Sequence, residues 1–248
     1  MIGLLGLVLA VQTAQDSMIE RNPADVVSKV FLKYYNARSL SGTIVQETTD
    51  GKGVVRITTK VNYERPNRVS ILQDYKGGNG LMLSLVSDGV KFAYDPPRTA
   101  KVKPKPRERL FELVRVERTG TNVAFVHGVG EMYHAAHVSL MPSTLLDLAV
   151  AHKEHLSDFK INVRTLALQG VVDLGGQKAY YITGQWQPYH GAEQTGSYEI
   201  WVSLSFDLLK FRLVEQYGDG RTSVKATTTE TANLRVNVPV DQSLFVVR

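Results

Sequence analysis

Cysteine is absent from this chain of 248 residues. Its absence excludes thiol nucleophiles, disulfides and cysteine-ligated metal sites, and also a lipid anchor on a cysteine after the N-terminal apolar run. Long apolar runs are scarce as well. The N-terminal run covers only residues 2–11, which is shorter than the ~20 residues of a membrane-spanning helix. The sequence therefore indicates neither thiol chemistry nor a helical membrane protein.

The apolar run of residues 2–11 predicts an export signal. Its length suits the hydrophobic part of a secretory signal, and the small residues Thr13 and Ala14 follow it, as signal cleavage requires. No Lys or Arg precedes the run, and a buried N-terminal strand is the alternative. We expect a signal peptide over residues 1–14 and a mature protein that is periplasmic or otherwise exported.

Positive charge is concentrated in one segment of the chain. Residues 98–118 hold eight Lys or Arg against three Glu, which accounts for the whole formal net charge of +5. Because the remainder is balanced, we predict no binding of nucleic acid. The segment suits contact with an anionic membrane surface or with a membrane protein, and a solvated loop is the alternative.

Catalytic motifs are also missing. The chain has no Gly-x-Ser-x-Gly elbow that would present a nucleophile. His134, His137, His152 and His155 could ligate zinc if two helices brought them together, but their spacing is not that of a His-Glu-x-x-His enzyme. We predict a protein with no catalytic residues, no cofactor and no metal. A histidine-dependent metalloenzyme remains as a further hypothesis.

Two regions predict helices. Asn22 followed by Pro23 predicts a helix start, because Asn is a favourable N-cap and Pro suits the first helical position. The apolar side chains of this helix, from Val26 to Tyr34, share one face. Residues 129–157 predict two further helical pieces, with Ser143 as the N-cap of the second piece.

Alternation of apolar and polar residues predicts about ten antiparallel strands. Such a sheet has to curl and leaves a concave apolar face. We therefore predict a mainly β fold with some α, in which a curved antiparallel sheet or unclosed β-barrel is covered by helices. The strands are expected from about residue 40 and over residues 55–63, 69–75, 81–87, 90–94, 163–172, 178–186, 198–204, 209–213, 222–236 and 244–247.

Four motifs, taken in order, resemble segments of the Lol-type (LolA/LolB-like) periplasmic lipoprotein carriers. They are a Leu-Ser-Gly-Thr strand with its hairpin, an Arg-Pro-Asn segment, a Ser-Asp-Gly hairpin with a Tyr-x-Pro exit, and a closing segment that contains Phe. The resemblance covers residues 24–97 well and the C-terminal third loosely, while residues 101–159 do not align. The four motifs occupy residues 40–51, 64–68, 85–96 and 238–245.

The resemblance implies an unclosed β-barrel with a helical lid over a hydrophobic cavity. It also implies periplasmic transport of lipoproteins or acyl lipids without catalysis. The Arg of the Arg-Pro motif, here Arg65, would bind carbonyl groups of the lid and keep the empty cavity closed. Its five donors suit that role, and a simple ion pair at a strand end is the alternative. Because the same fold also serves periplasmic regulators, a lipid-sensing regulator with a membrane-protein partner is the alternative function.

We predict one LolA-like domain over residues 22–248, with a helical insertion near residues 107–157, that is a monomer and binds an acyl chain or lipoprotein cargo. Beside Arg65, the candidate ligand-binding residues are apolar or aromatic side chains on the strands. They are Val55, Ile57, Val61, Tyr63, Leu83, Leu85, Ile200, Val202 and Leu213.

Overall fold

The computed structural model describes residues 20, 22–76, 81–90, 92–95, 128–136, 140, 143–150, 165–186, 195–218 and 223–247. These residues form three α-helices, one 3-10 helix and ten strands. The helices are α1 (Pro23–Tyr35), α2 (Val129–Ala136), α3 (Thr144–Val150) and the 3-10 helix Gln242–Phe245. The strands are β1 (Ser39–Thr49), β2 (Val54–Glu64), β3 (Arg68–Lys76), β4 (Leu81–Asp88), β5 (Phe92–Asp95), β6 (Ala167–Leu174), β7 (Gln177–Trp186), β8 (Thr195–Ser203), β9 (Leu208–Gly218) and β10 (Ser223–Val236).

All ten strands belong to one sheet, in the order β5-β4-β3-β2-β1-β10-β9-β8-β7-β6. Every neighbouring pair is antiparallel. The chain runs from the centre to one edge, passes through α2 and α3, and returns from the opposite edge to the centre. Among the described strands β5 and β6 do not pair with each other, so the sheet is not closed. The predicted fold class is confirmed.

One face of the sheet carries the hydrophobic core. Along β2 the buried residues alternate with exposed or half-buried ones, so that Ile57, Val61 and Tyr63 point to the core while Arg56 and Lys60 point to solvent. The alternation of apolar and polar residues that predicted this strand arises because successive side chains point to opposite faces of the sheet. Because α1 and α3 contribute to the same core cluster, the helices cover the buried face.

Helix α1 is capped at its start and bonded to the sheet at its end. The side chain of Asn22 accepts a hydrogen bond from the Ala24 amide at 3.0 Å, as predicted for the N-cap. At the other end the Tyr34 hydroxyl accepts from the Leu208 amide at 3.1 Å, and the Tyr63 hydroxyl donates to the Tyr34 carbonyl at 3.0 Å. These contacts make α1 part of the core of the protein.

The predicted strand over residues 244–247 is wrong. The chain forms the 3-10 helix there, because the Asp241 side chain accepts from the Ser243 amide at 2.9 Å and starts a helical turn. Phe245 is buried within this turn. The predicted signal segment of residues 1–14 and the basic segment of residues 98–118 lie outside the described residues.

Candidate ligand cavity

A cavity of about 310 Å³ lies between the sheet and α3. This volume is near the lower end of the ~300–1,000 Å³ range of small-molecule sites. Its apolar wall comes from three strands: Val55 and Ile57 of β2, Tyr75 of β3 and Leu213 of β9. The cavity therefore lies beside the hydrophobic core, beneath a short helix.

The remaining wall of the cavity is polar. Gln46 of β1, Glu215 of β9 and Glu230 of β10 face it from the sheet, and Asp147 faces it from α3. The side chains of Glu215 and Glu230 are buried. Burial of a carboxylate is unfavourable unless hydrogen bonds or partners compensate for it, so the partners of Glu230 explain its position.

Glu230 connects the sheet to the first turn of α3. Its carboxylate accepts hydrogen bonds from the Ser143 hydroxyl at 2.9 Å, the Thr144 amide at 2.9 Å and the Leu145 amide at 2.8 Å. The first amides of a helix have no partner within the helix. A carboxylate from another element therefore satisfies them, and this side chain of β10 fixes the first turn of α3 to the sheet.

Helix α2 is attached to α3 and to the sheet by two further contacts. The Tyr133 hydroxyl donates to the Asp147 carboxylate at 2.5 Å. The Val129 amide donates to the Pro66 carbonyl at 3.0 Å, in the turn between β2 and β3. Burial raises the pKa of Tyr133 well above its usual value, so this hydroxyl remains a donor. Helix α2 is thereby connected to α3, whose first turn covers the cavity.

The pKa of Glu230 predicts that stability depends on pH. Burial raises it from 4.5 to about 7, although the three donors from α3 act in the opposite direction. The folded protein thus keeps a proton that the unfolded chain releases. The stabilisation of the folded state that results is fully present below about pH 4.5 and is lost as the pH rises through about 7. We expect the loss of this stabilisation to lower the free energy of unfolding by about 1–3 kcal/mol between pH 5 and pH 8.

Urea denaturation at a series of pH values measures this dependence. The Glu230→Gln variant is the control, because its side chain keeps a carbonyl acceptor and does not titrate. We expect the difference in unfolding free energy between the wild type and this variant to change over that interval. A difference that stays constant would contradict the assigned pKa.

The predicted ligand-binding residues lie in two places. Val55, Ile57 and Leu213 line the cavity. Leu83 belongs to β4, but its side chain lies outside the described residues. The others pack in the core cluster, and are Val61, Tyr63, Leu85, Ile200 and Val202.

Arg65 bonds to the end of α1. Its Nε donates to the Ala37 carbonyl at 3.0 Å, and its guanidinium lies 5.1 Å from the ring centre of Tyr63 and 5.9 Å from that of Tyr35. Its Nη2 is buried without a hydrogen-bond partner among the described residues. Arg65 thus stabilises the segment after α1. Its role in holding α2 and α3 closed stays a prediction.

The polar residues of the cavity are not among the ligand-binding residues predicted from the sequence. Glu230 occupies a position of β10 that points inward, between the buried residues Ala226 and Ala232. A charged residue at an inward-pointing position of a strand is rare without a partner. The Glu at this position of the alternating pattern therefore indicates a buried polar contact. Its partner, Ser143, had been predicted as the cap of α3, and the Ser143 hydroxyl does accept from the Leu146 amide at 3.2 Å.

Two further expectations concern metals and membranes. Within the described ranges no group of three or more potential ligands could hold a metal ion, while His137, His152 and His155 and the side chain of His134 lie outside what is described. No helix in the described part of the chain is long and apolar enough to cross a membrane.

No protein-family model and no curated protein matches this chain. Several solved structures are similar to it. Lipoprotein LppX of Mycobacterium tuberculosis has 13% identity and a TM-score of 0.44, over 88% of this chain and 96% of LppX. The LolA superfamily protein NE2245 of Nitrosomonas europaea has 10% identity and a TM-score of 0.32, over 92% and 99%. MucB, in the Pseudomonas aeruginosa MucA/MucB complex, has 12% identity and a TM-score of 0.41, over 91% of this chain and 61% of that one.

The chain is similar to a member of the LolA superfamily. This is the family that the sequence motifs indicated. Since all three TM-scores are below 0.5, the description of the fold depends on strand order, register and burial within this chain alone.

Proposed function

We propose that the protein binds an acyl lipid or a lipidated peptide between the buried face of the sheet and helices α2 and α3, without catalysis. The observation that carries this proposal is the cavity beneath α3. Three strands give it an apolar wall, and the short helix α3 covers it, held by the Glu230 hydrogen bonds and by its own packing against the core. Such a helix can move without breaking the pairing of the sheet.

Movement of α3 provides space for a longer ligand. The present cavity holds about ten water-sized volumes of ~30 Å³, which is too little for a whole lipid. The helix inserts Leu145, Leu146 and Leu148 into the core. An acyl chain that replaces these side chains recovers about 0.8 kcal/mol for each buried CH₂ group, which offsets the loss of the helix contacts. Arg65 retains α1 during this exchange, because its hydrogen bond goes to Ala37.

The resemblance to Lol-type carriers supports the choice of cargo. The first of these motifs contributes Gln46 and Thr48 to the cavity, and the Arg-Pro-Asn motif meets the start of α2 through the Pro66 carbonyl. The predicted export signal agrees with a protein that works in the periplasm or outside the cell. We infer an exported carrier or binder of acylated cargo.

Filling the cavity is expected to prevent uptake of an acyl ligand. The Val55→Trp substitution places a large ring in the apolar wall, so we expect affinity for a monoacylglycerol with a fluorescent acyl chain to fall at least about tenfold, since a closed core resists overpacking. The matched control is Val54→Trp, because Val54 is adjacent and 63% exposed. Fluorescence titration of both variants, with their melting temperatures, provides the measurement.

Equal affinity of the two variants would show that the ligand binds elsewhere. Failure of the wild type to bind the probe, together with a bare mass in native mass spectrometry of protein purified gently from its host, would contradict the proposed function as a whole.

The alternative is a regulator that senses lipid in the same cavity and signals to a membrane protein. The observation that favours it is the charge of residues 98–118, which hold the whole net excess of the chain. A basic segment in a lipid-binding chain suits a protein that meets an anionic membrane surface. In this alternative the same cavity binds the lipid, and the protein differs from a carrier only in its partner.

A further inference from the structure

A second cavity lies on the solvent-facing side of the sheet, over the central strands β2, β1 and β10. Its volume is about 400 Å³. It shares no lining residue with the cavity under α3, so the two cavities can bind different ligands. Its wall consists of polar side chains, which are those of Ser41, Thr43, Lys60, Asn62, Asn233 and Arg235.

Strand pairing arranges these six side chains in two rows across β1. Ser41 lies between Asn62 of β2 and Arg235 of β10. Thr43, the next outward-facing residue of β1, lies in the same way between the other two. Because short side chains occupy the middle strand and longer ones flank it, the six side chains form a groove along β1. Strands paired on both sides make this groove a rigid part of the molecule.

The groove is electropositive. In the part of the chain that the structure describes, neither Lys60 nor Arg235 forms an ion pair. The acidic side chains on this face of β1 and β2 have other partners, since Glu47 contacts an arginine of β2 at 3.3 Å and Glu64 accepts a hydrogen bond from Gln242 at 2.9 Å. Two positive charges therefore act on whatever enters the groove.

The two cations flank the groove from opposite sides. Lys60 and Arg235 lie on either side of β1 and two residues apart along the strands, so their Cα atoms are separated by about 12 Å. Their long side chains can both bend toward a ligand above the middle strand. The Ser41 hydroxyl donates to Asn62 Oδ1 at 2.8 Å, which leaves the Asn62 amide nitrogen as a donor to the same ligand.

We propose that this groove binds the phosphate group of a phosphorylated molecule, either a soluble phosphate ester or a lipid headgroup. A phosphate carries up to about two negative charges and three acceptor oxygens, which matches two cations on opposite sides and amide donors between them. A carboxylate has one charge and two oxygens in one plane, so it cannot use all of these donors. The site goes beyond the proposed function, because it lies on the opposite face of the sheet from the acyl cavity.

Titration of the wild type with glycerol 1-phosphate, followed by the NMR shifts of backbone amides, tests the proposal. We expect saturable shifts in residues 41–43, 60–62 and 233–235, with an affinity at least about fivefold higher than that for acetate, since an exposed charge contact contributes up to about that factor. Glycerol, which is uncharged, should cause no saturable shift. Absence of saturable shifts at these residues, or equal affinity for the ester and acetate, would overturn the proposal.

Charge removal at the two exposed cations tests their role. We expect Lys60→Gln and Arg235→Gln each to weaken binding of glycerol 1-phosphate by at least about threefold, and the double variant by at least about tenfold. The matched control is Lys52→Gln, because Lys52 is exposed in the turn between β1 and β2 and does not line the groove. An unchanged affinity in the double variant would also overturn the proposal.

Sedimentation with phosphatidylcholine vesicles, with and without phosphatidic acid, distinguishes the two sources of phosphate. Sedimentation that requires phosphatidic acid and is lost in the double variant identifies a lipid headgroup. Binding of glycerol 1-phosphate without such sedimentation identifies a soluble ester. Neither result depends on uptake of the fluorescent acyl probe, so failure of this site and failure of the proposed function are distinguishable.

Discussion

Substitution of Gly42 by alanine is expected to lower the free energy of unfolding by about 3 kcal/mol. A Cβ atom at this position would lie 2.2 Å from the Asn233 carbonyl oxygen and 2.8 Å from the Cα of Leu234. Both atoms belong to the backbone of β10, so the clash cannot be relieved by rotation of a side chain. The two strands would have to separate at the centre of the sheet.

Urea denaturation followed by circular dichroism measures this effect. The control is Gly53→Ala, since a Cβ atom at Gly53 would meet nothing within 4 Å. We expect the control to differ from the wild type by less than about 0.5 kcal/mol, as is usual at surface positions. If both variants were equally stable, the close contact between β1 and β10 would be refuted.

Substitution of Glu230 by leucine is expected to release α3 from the sheet. It removes the acceptor of the Ser143 hydroxyl and of the Thr144 and Leu145 amides. Each buried donor without a partner costs about 1–3 kcal/mol, so we expect a total loss of about 2–4 kcal/mol after water partly replaces the lost acceptor. The effect should be local, because strand pairing does not depend on this side chain.

Hydrogen exchange of the amides in residues 143–150 tests this expectation. We expect exchange there to accelerate by at least about thirtyfold, while amides in β7 and β8 remain protected. The control is Glu47→Leu, which removes an exposed ion pair with Arg56 at 3.3 Å and should have little effect. Unchanged exchange in α3 would mean that the leucine contacts of the helix suffice to hold it.

Much of the fold was predictable from local patterns. The alternation along β2 and the cap at Asn22 both depend on residues that are close in sequence, so both can be recognised from the sequence alone. The two short helices and the break between them were predicted for the same reason, since the bond from the Leu146 amide to the Ser143 hydroxyl is local. The alternation over residues 244–247 was too short to identify a strand. The hydrogen bond from the Ser243 amide to Asp241 starts a helical turn there instead.

The site was less predictable because its decisive contacts connect distant segments. Glu230 meets residues 85–87 positions earlier in the chain, and no spacing rule relates them. The wall residues predicted from the sequence were all apolar or aromatic. They included Val61 and Ile200, which pack in the core, and they did not include Gln46. Periodicity identifies the buried face of a strand, but it does not show which part of that face a helix leaves uncovered.

The strand order affects how the protein is made. The central pair joins β1 to β10, so that Leu40 is paired with Val236. During synthesis the N-terminal half presents an unpaired inner edge until nearly the whole chain has emerged, because its partner strand is the last one of the sheet. Contacts between such distant segments form slowly. The pairing of β1 with β10 therefore completes the sheet only when nearly all of its strands are available.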